Sequence, residues 1–206
     1  MLLAIDTSAG TSVAIVDRDR GVLAERTSQD TRRHAELIGE FIVACLTESG
    51  IAVTVLSGVA VGMGPGPFTG LRIGIAAARA FAFGAGKPVV PVASHDAVAF
   101  GIEEPTIVVT DARRREVFWS AYSGSDSVGL PVLVHGPALA RPEDLAVAVP
   151  GFGGYRRIDA VEVSAASIGL IAEGLHLHRR SCASSQPLYL RSPDVTLSAG
   201  PKRVTS

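Results

Sequence analysis

The stretch VAVGMGPGPFTGLRIGIAAARAFAFGAG, residues 59–86, changes character twice. It opens as a continuous apolar run, the pattern of a strand buried on both faces. Six of the nine positions 62–70 are then glycine or proline, so no regular element passes through them. Residues 70–84 read as a helix with hardly a polar face, since only Arg72 and Arg79 are charged. Strand, stiff loop and helix in succession are the unit from which α/β layers are built.

Upstream, LLAIDTS and TSVAIVD read as two strands joined by a turn at residues 6–10, and GVLAERTSQD as a third that alternates polar and apolar positions. Residues 33–49 place apolar pairs at Leu37/Ile38, Phe41/Ile42 and Cys45/Leu46. That spacing of four predicts a helix with Thr31 as its cap, as Thr69 is expected to cap the helix after the loop. Downstream, PVVPVAS gives a fifth strand and residues 95–100 a short helix. After GIEEP the pattern restarts, because TIVVTDARRREVFWSAY is again a strand, a turn opening on aspartate, and a strand. Asp6 and Asp111 are therefore expected in equivalent turns, about 105 residues apart. The second copy looks reduced, with PEDLAVAVPGFGGY, a helix near residues 164–178 and PLYLR. The expected domains are residues 1–102 and 103–191, followed by a disordered Ser/Pro/Gly-rich tail at 192–206.

Composition narrows the function classes. The 206 residues, 47% hydrophobic, suffice for one large or two small cores. A net charge of −1 and a pI near 6.5 lack the basic footprint of a nucleic-acid binder, so any RNA contact is expected to be carried mainly by another protein. Cys45 and Cys182 sit among apolar or small residues, and no signal peptide precedes LLAIDTS, which points to a reducing cytosol. The uncharged run 49–71 is long enough to span a bilayer, but its glycines and prolines argue against a spanning helix. A soluble protein is expected.

A phosphate loop needs free backbone N–H groups and usually a lysine. Here Pro65 and Pro67 each remove a donor, no lysine follows, and the G-x-G-x-x-G spacing fails at Pro67 and Thr69. The favoured reading is a rigid strand-to-helix turn, with a phosphate cradle the lesser one. The helix at 70–84 must be covered on both sides. One side packs on its own sheet, and the other on the second domain or, as favoured, on a partner, with helix 33–49 beside it. Small residues at Gly74, Ala77 and Ala78 allow close approach. Asp6, next to Thr7 and Ser8, is either an ordinary turn residue or a ligand, through water, for Mg²⁺ beside a nucleotide. His176 and His178 point to different sides of a helix, His95 has Ala99 four residues on, and His34 reads as a solvated or capping residue. No metal site, nucleophile elbow or Cys/His/acid set emerges, so no self-sufficient catalytic centre is expected.

AIDTS near the start, GPGPFTGLRIG in the middle, DARRREVFW at the opening of the second unit and PLYLR near the end together resemble the TsaB (YeaZ) family of bacterial tRNA threonylcarbamoyladenosine biosynthesis. The resemblance spans residues 2–191, and GPGPFTGLRIG is its most specific part. It implies an actin-like and sugar-kinase-like (ASKHA) α/β fold of two RNase H-like domains, the second reduced. It also implies a subunit that is not catalytic on its own. Such a subunit docks the catalytic paralogue TsaD and, with the ATPase TsaE, supports transfer of a threonylcarbamoyl group from threonylcarbamoyl-adenylate to the adenosine beside the anticodon. The resemblance gives the chain no cofactor of its own. ATP and Mg²⁺ then act at the level of the complex, tRNA is met only through it, and the setting is the cytoplasm, with no membrane.

TsaD holds a metal with H-x-x-x-H, whereas the matching segment VASHDAVA has His95 and Ala99, so the resemblance implies a lost site. The family docks TsaD, or itself as a homodimer when alone, through helices of the first domain. Carried over, these are residues 33–49 and 69–84, and the expected contacts are Leu37, Ile38, Phe41, Ile42, Cys45, Leu71, Ile75, Ala78, Arg79 and Ala82. Asp6, Thr7 and Ser8 lie on the hairpin that corresponds to the paralogues' nucleotide site, and are expected as its vestige. Pro67, where the family more commonly has serine, weakens a phosphate cradle further. The alternative reading is a small-molecule phosphotransferase or ATPase on the same fold, with Asp6 near Mg²⁺.

Overall fold

The computed structural model describes residues 1–191, so the tail expected at 192–206 lies outside the described residues. Strands β1 (Leu2–Asp6), β2 (Thr11–Asp17) and β3 (Gly21–Ser28) form the antiparallel meander. Strand β4 (Gly58–Gly62) joins β1 in parallel and β5 (Val89–Val92) joins β4 in parallel, giving the order β3-β2-β1-β4-β5. Both faces of the central strands are apolar because both are covered. Leu3, Ile5, Val13, Ile15, Val59 and Val61 share the front face with Cys45, Leu71, Ile75, Ala78 and Ala82 of helices α1 (His34–Ser49) and α2 (Phe68–Ala85).

Both helices end on a glycine in the left-handed region, Gly50 (φ 66°) and Gly86 (φ 63°). Gly86 N–H reaches the Phe83 carbonyl and Lys87 N–H the Ala82 carbonyl, closing the last turn of α2. The expected N-caps are corrected. Helix α1 starts after Arg33 and α2 after Pro67, neither with a side-chain cap, and Thr69 lies inside α2. The ring-fixed φ of Pro67, −59°, sets the entry direction instead.

The second sheet comprises β6 (Thr106–Asp111), β7 (Val117–Ser125), β8 (Pro131–Ala140) and β9 (Arg156–Asp159), in the order β8-β7-β6-β9. Its antiparallel and parallel pairings repeat those of β3-β2-β1-β4, so the internal echo is a doubled fold. Strands β8 and β9 are not expected from the sequence. One contains Pro131, Gly136 and Pro137 and the other reads RRID. Both are edge strands, where lost N–H donors and charge are tolerated. Helix α4 (Leu145–Ala148) covers one face of this sheet through Leu145, and α3 (Ser94–Ala99) meets the other.

The helix read with the second unit, α5 (Ala165–Leu177), lies on the rear face of the first sheet. Ile168, Ile171 and Ala172 pack there with Leu2, Ala4, Ala14, Val16 and Ala60. The approach is close. A Cβ on Gly169 would lie 2.5 Å from Val16 Cγ2 and 3.2 Å from Ala4 Cβ. The N-terminus of α5 is also fixed by the first sheet. Glu25 of β3 accepts from Ala166 N–H at 3.1 Å and from the Ser164 hydroxyl at 2.8 Å, while Ser12 accepts from Ala165 N–H at 2.9 Å. A carboxylate at this position complements the helix dipole.

After α5 the chain runs back along the first sheet. Ala183 N–H donates to the Pro91 carbonyl at 3.2 Å and Leu188 N–H to the Met63 carbonyl at 2.8 Å.

Candidate functional site

The Gly/Pro loop ends β4 directly above the turn that ends β1. Asp6 is 2% exposed. Its Oδ1 accepts from Ser8 N–H at 2.7 Å and from the Ser8 hydroxyl at 2.6 Å, and its Oδ2 accepts from the Ser94 hydroxyl at 2.6 Å. Ser94 in turn accepts from Gly64 N–H at 3.0 Å. Burial raises the Asp6 carboxyl above its ordinary range, and the bonds from Ser8 and Ser94 oppose that shift.

Four glycines spaced by four lie against this turn. A Cβ on Gly62 would fall 1.8 Å from Asp6 Oδ2, one on Gly66 2.8 Å from Ser8 Cα, one on Gly70 2.6 Å from the Thr7 carbonyl oxygen, and one on Gly74 2.1 Å from Thr7 Oγ1. Thr7 also donates to the Gly70 carbonyl at 2.8 Å. The glycines of GMGPGPFTGLRIG therefore admit residues 6–8 of the same chain, in the space a phosphate cradle would need.

Both Asp6 oxygens are committed to protein donors, and Asp6 lines none of the described cavities. Thr7 and Ser8 reach the wall of a cavity of about 230 Å³ with Thr31, His34, Thr69 and Arg113. The structure thus separates the expected trio: the two hydroxyl residues border open space, and the carboxylate does not. The reading of His34 as solvated or capping is corrected. It is 5% exposed, and its Nδ1 lies 2.8 Å from Thr11 Oγ1.

A larger cavity, about 340 Å³, lies between the Gly/Pro loop and the second sheet. Residues 66–69 form one wall, Ala112, Arg113, Arg114 and Phe118 the opposite one, and Tyr189 and Arg191 a third. Arg113, Arg114 and Arg115 all have positive φ, at 65°, 53° and 60°, a conformation that L side chains resist. The turn is held by Arg113 N–H to Asp111 Oδ1 at 2.8 Å and by the Arg113 guanidinium, which reaches Asp111 at 3.3 Å and Thr31 Oγ1 at 2.7 Å.

His95 and Asp96 of α3 face the second sheet. The imidazole lies 2.8 Å from Ser120 Oγ and 2.9 Å from Thr110 Oγ1, and burial pushes its pKa down to about 3. It is a neutral strut between α3 and the second sheet, with both ring nitrogens occupied. Tyr122 donates to Asp96 at 2.8 Å, and burial pushes the Asp96 carboxyl up to about 6 against that bond. Sequence reasoning weighs His95 only as a metal ligand. Its polar partners, Thr110 and Ser120, sit opposite apolar positions on buried strands, and that is the available signal. Among the described residues no group of three or more His, Cys, Asp or Glu is placed to hold a metal, and no helix is long and apolar enough to cross a membrane.

The expected docking residues divide sharply. Leu37, Ile38, Cys45, Leu71, Ile75, Ala78 and Ala82 are buried within the chain's own core, none more than 8% exposed. These are corrected to core residues, because the stripe of largest apolar side chains is the one that a helix turns toward its own sheet. Phe41 and Ile42 are half-buried and Arg79 is exposed. The open flank of α2 lies one residue over, at Arg72, Ala76, Arg79, Ala80 and Phe83, with Ile73 and Ala77 half-buried. Phe83 is 90% exposed, and Val43 on the adjacent α1 is 64% exposed. The exposed apolar side chains of the two helices are thus ones that apolar spacing does not single out.

The chain matches, over residues 9–151, the family model described as TsaD: tRNA N6-adenosine threonylcarbamoyltransferase. An uncharacterized protein of Mycobacterium tuberculosis is 41% identical over 202 residues, covering 94% of this chain and 92% of that one. The tRNA threonylcarbamoyladenosine biosynthesis protein TsaB of Haemophilus influenzae is 38% identical over 125 residues, covering 58% of this chain and 52% of that protein. Among solved structures, YeaZ from Pseudomonas aeruginosa aligns with a TM-score of 0.74 at 27% identity, covering 92% of this chain and 99% of that chain.

Proposed function

The chain belongs to the TsaB/YeaZ family, and from that premise we propose that it takes part in tRNA threonylcarbamoyladenosine biosynthesis as a non-catalytic subunit that docks TsaD. The observation that carries the docking role is the open flank of α2, where Ala76, Ala80 and the almost fully exposed Phe83 face solvent. Covering a phenylalanine contributes about 1.5–3 kcal/mol, and aromatic residues are enriched at the cores of protein interfaces. The same flank serves a homodimer when the chain is alone.

The sealed state of Asp6 supports the non-catalytic reading. A carboxylate that must hold Mg²⁺ through water needs an open coordination side, and here both oxygens bind protein hydroxyls or amides. TsaE, ATP and Mg²⁺ then belong to the assembled complex in the cytoplasm, and tRNA reaches this subunit through it.

Co-purification with TsaD tests the proposal. Ala80→Glu and Phe83→Glu, both on the exposed flank, are expected to abolish capture while the thermal midpoint stays near that of the parent. Full capture by both folded variants contradicts the docking role.

The alternative, a small-molecule phosphotransferase or ATPase, has one observation in its favour, the 340 Å³ cleft with Arg113, Arg114 and Arg191 on its walls. Calorimetry of the isolated chain with ATP and Mg²⁺ decides it, and heat of binding at micromolar nucleotide is the result that favours it.

A further inference from the structure

The cavity of about 230 Å³ beside the β1–β2 turn is walled by polar groups whose hydrogen-bonding capacity is only partly spent. His34, 5% exposed, has its Nδ1 engaged by Thr11 Oγ1 at 2.8 Å, whereas its Nε2 has no hydrogen-bond partner among the described residues. A Cβ on Gly70, itself on the cavity wall, would lie 3.2 Å from that free nitrogen. Burial lowers the His34 pKa, so the ring is neutral at pH 7 and has one hydrogen bond still to make. Buried polar atoms are seldom left in that state.

The walls divide by what they can offer. Thr7 and Ser8, 2% and 4% exposed, spend their hydroxyl protons on the Gly70 carbonyl and on Asp6 Oδ1, so only oxygen lone pairs remain. The other groups are donors. The Arg113 guanidinium gives one N–H to Thr31 and pairs with Asp111, which leaves N–H groups over. Thr31 accepts that bond and keeps its own proton, and the exposed Thr69 hydroxyl has no partner among the described residues. Helix α2 starts at this wall without a side-chain cap, and the amides of residues 68–70 have no partner among the described residues, so its first turn favours negative charge. No carboxylate lines the cavity.

We propose that this cavity binds a small carboxylate that carries its own hydrogen-bond donor, a short hydroxy acid or amino acid. Its carboxylate is taken by Arg113 and the first turn of α2, and its donor by the lone pairs of Thr7 or Ser8. A carboxylate matches the planar fork of a guanidinium. Inorganic phosphate fits less well, because some of its oxygens would face those lone pairs without a proton between them. The volume lies below the roughly 300–1,000 Å³ of pockets that enclose drug-sized molecules, which holds the ligand to a few heavy atoms. Arg113 comes from the turn after β6 and the other groups from the first unit, so the ligand bridges the two.

Titration of the full chain, followed by the NMR resonances of the His34 imidazole, tests this, with the ring assigned through its contact to Thr11. Glycolate or glycine is expected to shift these resonances saturably in the millimolar range, and whichever binds tighter tells the hydroxy acid from the amino acid. No saturable shift with either overturns the site. Acetate, which lacks the second donor, is expected to bind severalfold more weakly, the worth of a neutral hydrogen bond. Acetate or inorganic phosphate binding as tightly as the better of the two overturns the ligand class. Arg113→Gln is expected to weaken binding about tenfold, the worth of a hydrogen bond to a charged group, and Thr69→Val, at an exposed helical position, severalfold. Weaker binding by either folded variant supports the placement, and unchanged affinity in both overturns it. The isolated chain suffices for every arm, so failure here leaves the docking reading standing.

Discussion

Asp6 and Asp111 accept the same hydrogen bond, from the backbone N–H two residues on, at 2.7 and 2.8 Å. One carboxylate is sealed and the other lies on the surface. The difference comes from the route the chain takes as it leaves the parallel strand of each copy. After β4 it folds over the turn as the glycine-rich loop and continues into α2. After β9 it departs for the rear face of the first sheet as α5, so nothing is laid over Asp111.

The seal depends on a hydrogen atom at residue 62. Gly62→Ala places a methyl group against Asp6 Oδ2 and breaks the Ser94 bond or displaces β4. A loss of about 1–3 kcal/mol is expected, read as a lower urea midpoint. Gly169→Ala, which presses on Val16 and Ala4, falls in the same range, whereas Gly84→Ala, with nothing within 4 Å, leaves stability unchanged or slightly improved.

Neighbouring residues His95 and Asp96 give opposite slopes of stability with pH. The native Asp96 carboxyl, with a pKa near 6, takes up a proton before the unfolded chain does, so stability rises as pH falls from about 6 toward 4. The native His95, near 3, refuses the proton that the unfolded chain accepts below about 6.5, so stability falls over an overlapping window. Asp96→Asn removes the first slope. The variant should be more stable than the parent at pH 7, by roughly 2–3 kcal/mol at most, and should lose stability more steeply between pH 6 and 4. Denaturation midpoints across that range check it, and parallel profiles for the two proteins would contradict it.

The two thiols should be distinguishable without any mutation. Cys45 is fully buried, donates to the Val13 carbonyl at 3.3 Å, and is pushed up to about 11 by burial. Cys182 is exposed. A thiol reagent at pH 8 is expected to label Cys182 alone in the native protein and both after unfolding. Labelling of Cys45 in the native state, located by peptide mass, would contradict the packing of α1 on the first sheet.

Charged substitutions along α2 should separate core from flank. Ile75→Asp, at a site 4% exposed, costs about 3–5 kcal/mol and should leave little folded protein. Phe83→Glu should shift stability by less than about 0.5 kcal/mol. Thermal melts of both variants check the assignment of the two faces.

The first meander, both long helices and the repeat of the aspartate turn are legible in the sequence, because each is written in unbroken periodicity or in a glycine-proline break. Strands β8 and β9 are not, since their prolines and arginines are allowed by edge positions and not by any strand propensity. Leu71, Ile75 and Ala78 read as a docking face because apolar spacing marks the side of a helix that is buried, and says nothing of which neighbour buries it. The four-residue spacing of Gly62, Gly66, Gly70 and Gly74 is visible in the sequence, but its meaning requires knowing that residues 6–8 run beneath it. His95 is legible only as half of a missing metal pair, since its hydroxyl partners come from strands in another sheet.

Because α5 supplies the rear cover of the first sheet, strands β1 to β5 remain greasy on one side until residues 165–177 have left the ribosome. Severing the chain after residue 102 would therefore yield not a smaller protein but a sticky half, its Ala4, Val16 and Ala60 left wet and prone to clump. Translation has to run past α5 before the sheet made well ahead of it is safe in water.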